Sequence, residues 1–389
     1  MQTPESMKIL VVVTHLLGTG HLRRAINLSS AFVANSHKVH LASGGLPVDT
    51  FDTDGIALVQ LSPLQSDGTN FTRLLKADGT VADDAWLADR EDQLKTLLEE
   101  LQPDIIITEL FPFGRRVLRR EFCSLLEVAQ SLAKPPVILS SVRDILAPPS
   151  SEKKVQKTEE LINKYYDGVL VHSDRDTTPL SVSWPVTDLI DSKLFYTGYV
   201  AQALSNSTDG KPDLAEVVVS AGGGSVGKRV YEIAIETARL SQSYQWRILV
   251  GGQDSDAEVR RLKKLAQGTT AIIEPNRPDF RALLTRAVCS VSMCGYNTAI
   301  DLLLTGTPGV LIPFDAGGEQ EQTLRASSLA ARSAYVSLLD KHLTPESLAL
   351  AVEQVASSGR FTANVKQFNG ALESVRVATM LAKRKNNCR

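Results

Sequence analysis

The chain has 389 residues, more than the roughly 250–300 that one hydrophobic core organises, so two domains are expected. It is 43% hydrophobic and 22% charged, the balance of a globular protein. The formal net charge of -2, with no polybasic stripe interleaved with aromatics, argues against a nucleic-acid partner.

Taken in chain order, the first element is Ile9–Val13, an unbroken, mostly β-branched run that reads as a buried parallel strand. The loop Thr14–Gly20 follows, then a helix from about His21 to Ala34, with Leu22, Ala25, Ile26, Ser29, Phe32 and Val33 on one face. His37–Leu41 is the next strand, which completes a βαβ unit. Further strands are expected at Ala57–Leu61, Ile105–Thr108, Val137–Ser140, Gly168–His172 and near Lys193–Thr197, with amphipathic helices at Asp83–Leu101 and Arg115–Leu132. From Gly198 to Asp213 the sequence turns polar and rich in Gly, Ser, Asn and Pro, so residues 201–213 read as a linker between a first domain over 1–200 and a second over 214–370.

The second series opens with the strand Glu216–Ser220 and continues through strands Arg247–Val250, Thr270–Glu274, Val288–Val291, Gly309–Ile312 and Tyr335–Leu338. Helices alternate with them at about Lys228–Leu240, Ala257–Gln267, Phe280–Thr285, Thr298–Thr305, Gln320–Ala331 and Pro345–Ala356. A last helix, Ala371–Lys385, lies beyond the final strand and is placed to cross back to the first domain. With the basic tail it fills residues 371–389. The fold class is therefore α/β, two Rossmann-like domains.

The four cysteines (Cys123, Cys289, Cys294 and Cys388) form no C-x-x-C pair, which argues against a conventional zinc site and a disulfide framework and fits a reducing, cytoplasmic setting. The apolar run at Ile9 is too short for a signal peptide or a spanning helix. Lys383, Arg384, Lys385 and Arg389 make the one basic cluster; it reads as a solvated end, with docking on a membrane surface as the alternative. Oligomeric state is not legible.

The chemistry gathers in glycine-rich loops. Ala221 to Arg229 lies between a strand and a helix and satisfies three patterns at once. Gly222-x-Gly224-x-x-Gly227 fits a dinucleotide fingerprint, but the next strand ends in Gly251-Gly252 where a ribose-binding acid belongs. Gly222 through Gly227-Lys228 fits most of a phosphate loop, but Arg229 replaces the hydroxyl that would hold Mg²⁺. Gly223-x-Ser225-x-Gly227 fits a nucleophile elbow, which would make Ser225 a serine-hydrolase nucleophile. All three share one physical property: glycine amides and a helix start can close on an anion. The plain alternative is a tight turn without a ligand. A second such turn, Val288–Asp301, has a strand, Gly295 and a helix capped near Asn297 or Thr298. Gly306-Thr307-Pro308-Gly309 and the stretch Phe314–Gln322 follow, and loops of this kind collect at strand carboxyl ends.

In order and spacing, four motifs carry a family likeness: Gly18-Thr19-Gly20-His21-Leu22-Arg23-Arg24, Gly222–Gly227, Gly295-Tyr296-Asn297-Thr298 through Pro308, and Pro313 through Gln322. The chain resembles the GT-B glycosyltransferases, in particular the branch of the peptidoglycan-pathway N-acetylglucosaminyltransferase and bacterial predicted glycosyltransferases with a related C-terminal domain. The resemblance implies two domains facing across a cleft and a nucleotide-diphosphate sugar as co-substrate, with no cofactor and no metal. It implies inverting transfer to a hydroxyl acceptor that the sequence does not identify. The diphosphate would meet Gly223, Gly224, Ser225, Gly295, Tyr296, Asn297 and Thr298; Gly20 belongs to the same donor set. Asp301 would bind the donor ribose, Asn276 and Arg277 the base, and Gln320, Glu321 and Gln322 the sugar.

His21 begins a helix, where a cationic imidazole is disfavoured and a neutral one suits a general base. By analogy with the family it is the catalytic base or a support to it. Glu109 follows the strand Ile105–Thr108 and stands at its carboxyl end, as an acceptor ligand or an alternative base. Arg143, Asp144, His172 and Asp174 occupy equivalent places, while Trp86, Trp184 and Trp246 read as packing residues. Phe71, Leu74 and Leu75 read as an apolar lid. Two alternatives to transfer remain: hydrolysis of the nucleotide sugar with water as acceptor, and binding without turnover.

Overall fold

Ile9 to Val13 are all buried, as a strand covered by helices on both faces requires. In the computed structural model, which describes residues 6–49, 51–68, 70–201, 215–221, 227–240, 243–252, 255–314, 320–363 and 365–387, this run is β1 (Lys8–Val13). It leads into α1 (Gly20–Ala34), β2 (Lys38–Ser43), β3 (Ile56–Gln60), the antiparallel pair β4 (Gln65–Asp67) and β5 (Asn70–Leu75), and α2 (Asp84–Leu101). Then come β6 (Ile105–Glu109), α3 (Arg119–Ser131), β7 (Val137–Arg143), α4 (Glu152–Tyr165), β8 (Gly168–His172), α5 (Asp188–Asp191) and β9 (Leu194–Tyr196). The first sheet is parallel with order β3-β2-β1-β6-β7-β8-β9.

The second unit contains β10 (Glu216–Ser220), α6 (Lys228–Leu240), β11 (Gln245–Val250), α7 (Ser255–Leu265), β12 (Ile272–Pro275), α8 (Phe280–Arg286), β13 (Cys289–Ser292), α9 (Tyr296–Thr305), β14 (Gly309–Leu311), α10 (Glu321–Ala330), β15 (Tyr335–Ser337) and α11 (Pro345–Ser358). Its sheet is also parallel, order β12-β11-β10-β13-β14-β15. The chain divides at Gln202/Ala203 and at Val365/Lys366, so α12 (Gly370–Asn387) belongs to the first unit. Val375, Val377, Ala378 and Ala382 of α12 bury against a core face shared with α1 and β1. Lys385 bonds Pro136 O (2.9 Å) and pairs with Asp167 (2.8 Å), so this tail residue fastens the helix rather than standing free in solvent.

Several expectations are revised. The β4–β5 hairpin was not anticipated; its core residue Leu74 is buried, while Phe71 is exposed, so no lid of three side chains forms. The helix expected from Arg115 starts at Arg119, after one 3₁₀ turn at Arg116–Leu118. Of the expected linker, residues 201–213, all but residue 201 lie outside those described. Trp184 and Trp246 are buried packing residues, as read from sequence.

Beneath the first sheet's carboxyl edge, Arg90 is fully buried. It makes a two-pronged bond to Glu121 (Nε to Oε2 and Nη2 to Oε1, each 3.0 Å) and donates to the carbonyls of Gly44 (3.1 Å) and Ser62. Glu121→Ala would strand that guanidinium without its counter-charge. It should lower stability by about 3–5 kcal/mol in urea unfolding.

Candidate functional site

In each sheet the chain turns both ways from one strand, and the crevice at such a switch point collects ligands. In the first sheet the switch lies between β1 and β6. His21 comes from the first turn of α1, after β1, and Glu109 is the last residue of β6. The structure brings them together: His21 Nδ1 lies 2.8 Å from Glu109 Oε1. Arg24, one turn along α1 and buried, donates through Nη2 to the same oxygen. Glu109 Oε2 is buried with no hydrogen-bond partner among the described residues.

Burial alone would push the Glu109 carboxyl up, but the facing His21 and Arg24 charges hold it well below the usual carboxylate range. An ionised Glu109 only accepts, so the proton of a neutral His21 sits on Nδ1 and Nε2 keeps its lone pair. Burial pushes the His21 pKa down to about 4, with Glu109 working against the shift and Arg115 with it. Between that value and neutrality the imidazole is uncharged.

His172, at the end of β8, is fully buried between Ser141 Oγ (2.8 Å from Nε2) and Thr197 Oγ1 (2.9 Å from Nδ1). Burial pushes its pKa down to about 3. Both histidines therefore stay neutral in the fold at pH values where an unfolded chain protonates them. The unfolded state then binds more protons, and stability falls as pH drops from about 6.5 towards 4, by up to about 1.4 kcal/mol per pH unit for each histidine. Urea midpoints measured across that window should show the fall, and His172→Gln should flatten it. His15 is buried, off this pair, with Nδ1 unpartnered among the described residues. Asp174 spends its oxygens on Thr177 N (2.8 Å) and Gln367 Nε2 (2.9 Å).

In the second unit the switch lies between β10 and β13. Met293 N donates to Ser220 O (3.2 Å), so the chain leaves both strands at adjacent points of the same edge. Gly227 ends the loop after β10 at φ +109°, and a Cβ built there would come within 2.2 Å of Ala221 Cβ. Only glycine fits this close approach. Gly223, Gly224 and Ser225 lie outside the described residues. After β13, α9 begins with Gly295 as its N-cap, with no side-chain cap bond among the described residues and no acid in its first turn. This corrects the expected cap at Asn297 or Thr298: those residues, with Tyr296, lie inside the first turn, at the positive end of the helix.

The rest of the expected donor set is placed less uniformly. Asn276 follows β12 at the carboxyl edge and is exposed, whereas Arg277 is clamped by Asp279 (2.8 and 2.7 Å). Asp301 is held by Arg281 Nε at 2.5 Å, so a ribose would have to share it. Gln320 is the exposed N-cap of α10; Glu321 accepts from Arg325 Nη2 (2.9 Å), and Gln322 Oε1 accepts from Phe314 N (3.2 Å). Gly20 is exposed in the first unit, at the start of α1.

Sequence reasoning gave no role to Arg24 or Arg325. Arg325 is buried, donates to Cys294 O (2.9 Å) and lies over the Tyr296 ring (5.8 Å), so it braces the turn that starts α9. Their signals were spacing alone: Arg24 three residues after His21, and Arg325 four after Glu321. Among the described residues no helix is long and apolar enough to cross a membrane.

Residues 217–379 match the glycosyltransferase family 28 C-terminal domain. A curated relative, the UDP-N-acetylglucosamine–N-acetylmuramyl-(pentapeptide) pyrophosphoryl-undecaprenol N-acetylglucosamine transferase 2 of Bacillus thuringiensis, is 28% identical over 153 residues, 39% of this chain and 42% of its own length. The chain thus spans less than half the length of that relative. Among solved structures, MurG of Acinetobacter baumannii is similar at a TM-score of 0.64 and 14% identity, over 96% of this chain and 99% of that one. The glycotransferase of kitacinnamycin is similar at a TM-score of 0.64 and 17% identity, over 99% of both chains. The match to a family 28 C-terminal domain thus covers residues 217–379, and the whole chain shares the fold of these solved glycosyltransferases.

Proposed function

We propose that the chain transfers a sugar, with inversion and without a metal, from a nucleotide-diphosphate sugar to a hydroxyl acceptor. The observation that carries the reading is the His21–Glu109 contact at the first sheet's switch point, in a chain whose second unit is a family 28 domain. His21 Nε2 takes the acceptor's hydroxyl proton as its oxygen attacks the anomeric carbon. Glu109 fixes the tautomer and stabilises the imidazolium that forms. The bond from the anomeric carbon to the diphosphate breaks in the same step, and the electron pair leaves with the nucleoside diphosphate. The uncapped start of α9 supports a place for that leaving charge. The relative's name speaks of UDP-N-acetylglucosamine, which makes a uridine donor the first to try.

The test is a panel of UDP-, GDP- and dTDP-sugars. The productive donor should stabilise the protein by about 2.7 kcal/mol at 100 times its dissociation constant. It should release nucleoside diphosphate only slowly until a hydroxyl acceptor is added. No stabilisation by any sugar nucleotide at millimolar concentration would contradict the reading, and so would acceptor-independent release on the order of 1 per second.

A further inference from the structure

Arg115 differs from the other arginines of the first sheet's switch point. The segment after β6 turns back sharply: Leu110 donates its N–H to Ser141 O (2.9 Å), and Gly114 returns its own to Leu110 O (2.8 Å). Leu110 (φ 66°) and Arg115 (φ 55°) both take the left-handed conformation that side chains rarely adopt. Such strain persists only where the surroundings fix it, and it gathers at functional sites. Its effect is to carry Arg115 from the end of β6 to the end of β1, where Nε donates to Thr14 O (2.6 Å). Arg24 and Arg90 each meet a carboxylate, but Arg115 forms no ion pair among the described residues. Among the described residues its terminal nitrogens meet no hydrogen-bond partner, and the side chain is only half-buried.

We propose that Arg115 reads a phosphate or carboxylate carried by the acceptor, beside the hydroxyl that His21 deprotonates. The proposal rests on the transferase reading above. With Nε pinned to a carbonyl, the two terminal NH₂ groups are left in a fixed plane, the arrangement that grips a planar or tetrahedral anion by two bonds. Burial first, and then the charges of Arg143 and Arg24, disfavour this guanidinium as a cation, with Glu109 opposing them; an arriving anion would relieve that cost. It would also offset the Arg115 charge, which helps keep His21 from taking a proton. The base would therefore strengthen when the acceptor is seated, which couples acceptor binding to activation.

Arginine modification of the full-length wild-type protein by phenylglyoxal, mapped by mass spectrometry, tests this without donor or turnover. Exposed Arg384 on α12 serves as the reference. Arg115 should react, and glucose 6-phosphate at 10 times its dissociation constant should slow it about 10-fold relative to Arg384. Inorganic phosphate should also protect, and glucose should not. An Arg115 that never reacts, or that reacts equally fast with and without the anions, overturns the proposal. Protection by free phosphate but by no sugar phosphate or hydroxy-carboxylate overturns the assignment to an acceptor. Each of these failures leaves the donor panel untouched, so loss of this inference is distinguishable from loss of the transferase reading.

Discussion

His21→Ala should lower kcat for transfer by about 10²- to 10⁴-fold, the usual contribution of a positioned general base. Donor binding should survive, because the proposed donor residues at the start of α9 belong to the second unit. Parallel measurement of acceptor-dependent nucleoside-diphosphate release and of donor-induced thermal stabilisation checks both halves. A variant that loses stabilisation as well as turnover would place His21 in donor binding. One that keeps full turnover would remove it from the chemistry.

Glu109→Gln should be as damaging to turnover and, in addition, costly to the fold. A glutamine can offer its amide N–H to His21 Nδ1 and so favour the tautomer with the proton on Nε2, where no lone pair remains for the acceptor. The corresponding change in a serine-protease triad costs on the order of 10⁴-fold in kcat, and a loss of roughly 10³- to 10⁴-fold is expected here. The same change strips Arg24 of its carboxylate while that guanidinium stays buried, which should destabilise the protein by about 3–5 kcal/mol. Glu109→Gln combined with Arg24→Met removes both buried charges. It should recover much of the stability and none of the activity, as urea unfolding and turnover assays on the same preparation would report.

The parts legible in sequence are those governed by periodicity. Runs such as Ile9–Val13 and Val217–Val219 have one reading as buried strands, and their alternation with amphipathic helices fixes a parallel α/β architecture. His21 and Glu109 are each legible as candidates because each stands at a strand or helix end. Nothing local says that residues 88 positions apart meet; the adjacency of β1 and β6 brings that about. The β4–β5 hairpin was missed because QSD and NFTRLL carry little apolar alternation. Asn297 and Thr298 attract a cap assignment by residue type, yet the backbone enters α9 two residues earlier at Gly295. The partners of Asp301, Arg277 and Gln322 were illegible for a similar reason: a polar side chain in a motif does not reveal whether a neighbour in space already holds it.

Burial keeps His21 neutral against the pull of its carboxylate, and the ionised Glu109 holds the ring proton on Nδ1, leaving Nε2 available to an acceptor. Nitrogen NMR of the imidazole side chains at pH 7, with His21 assigned through His21→Gln, tests it directly. The ring should be neutral, protonated on Nδ1 and bare on Nε2, a state that Glu109→Gln shifts towards the opposite tautomer. A His21 that is an imidazolium at pH 7, or that carries its proton on Nε2 in the wild type, would contradict it.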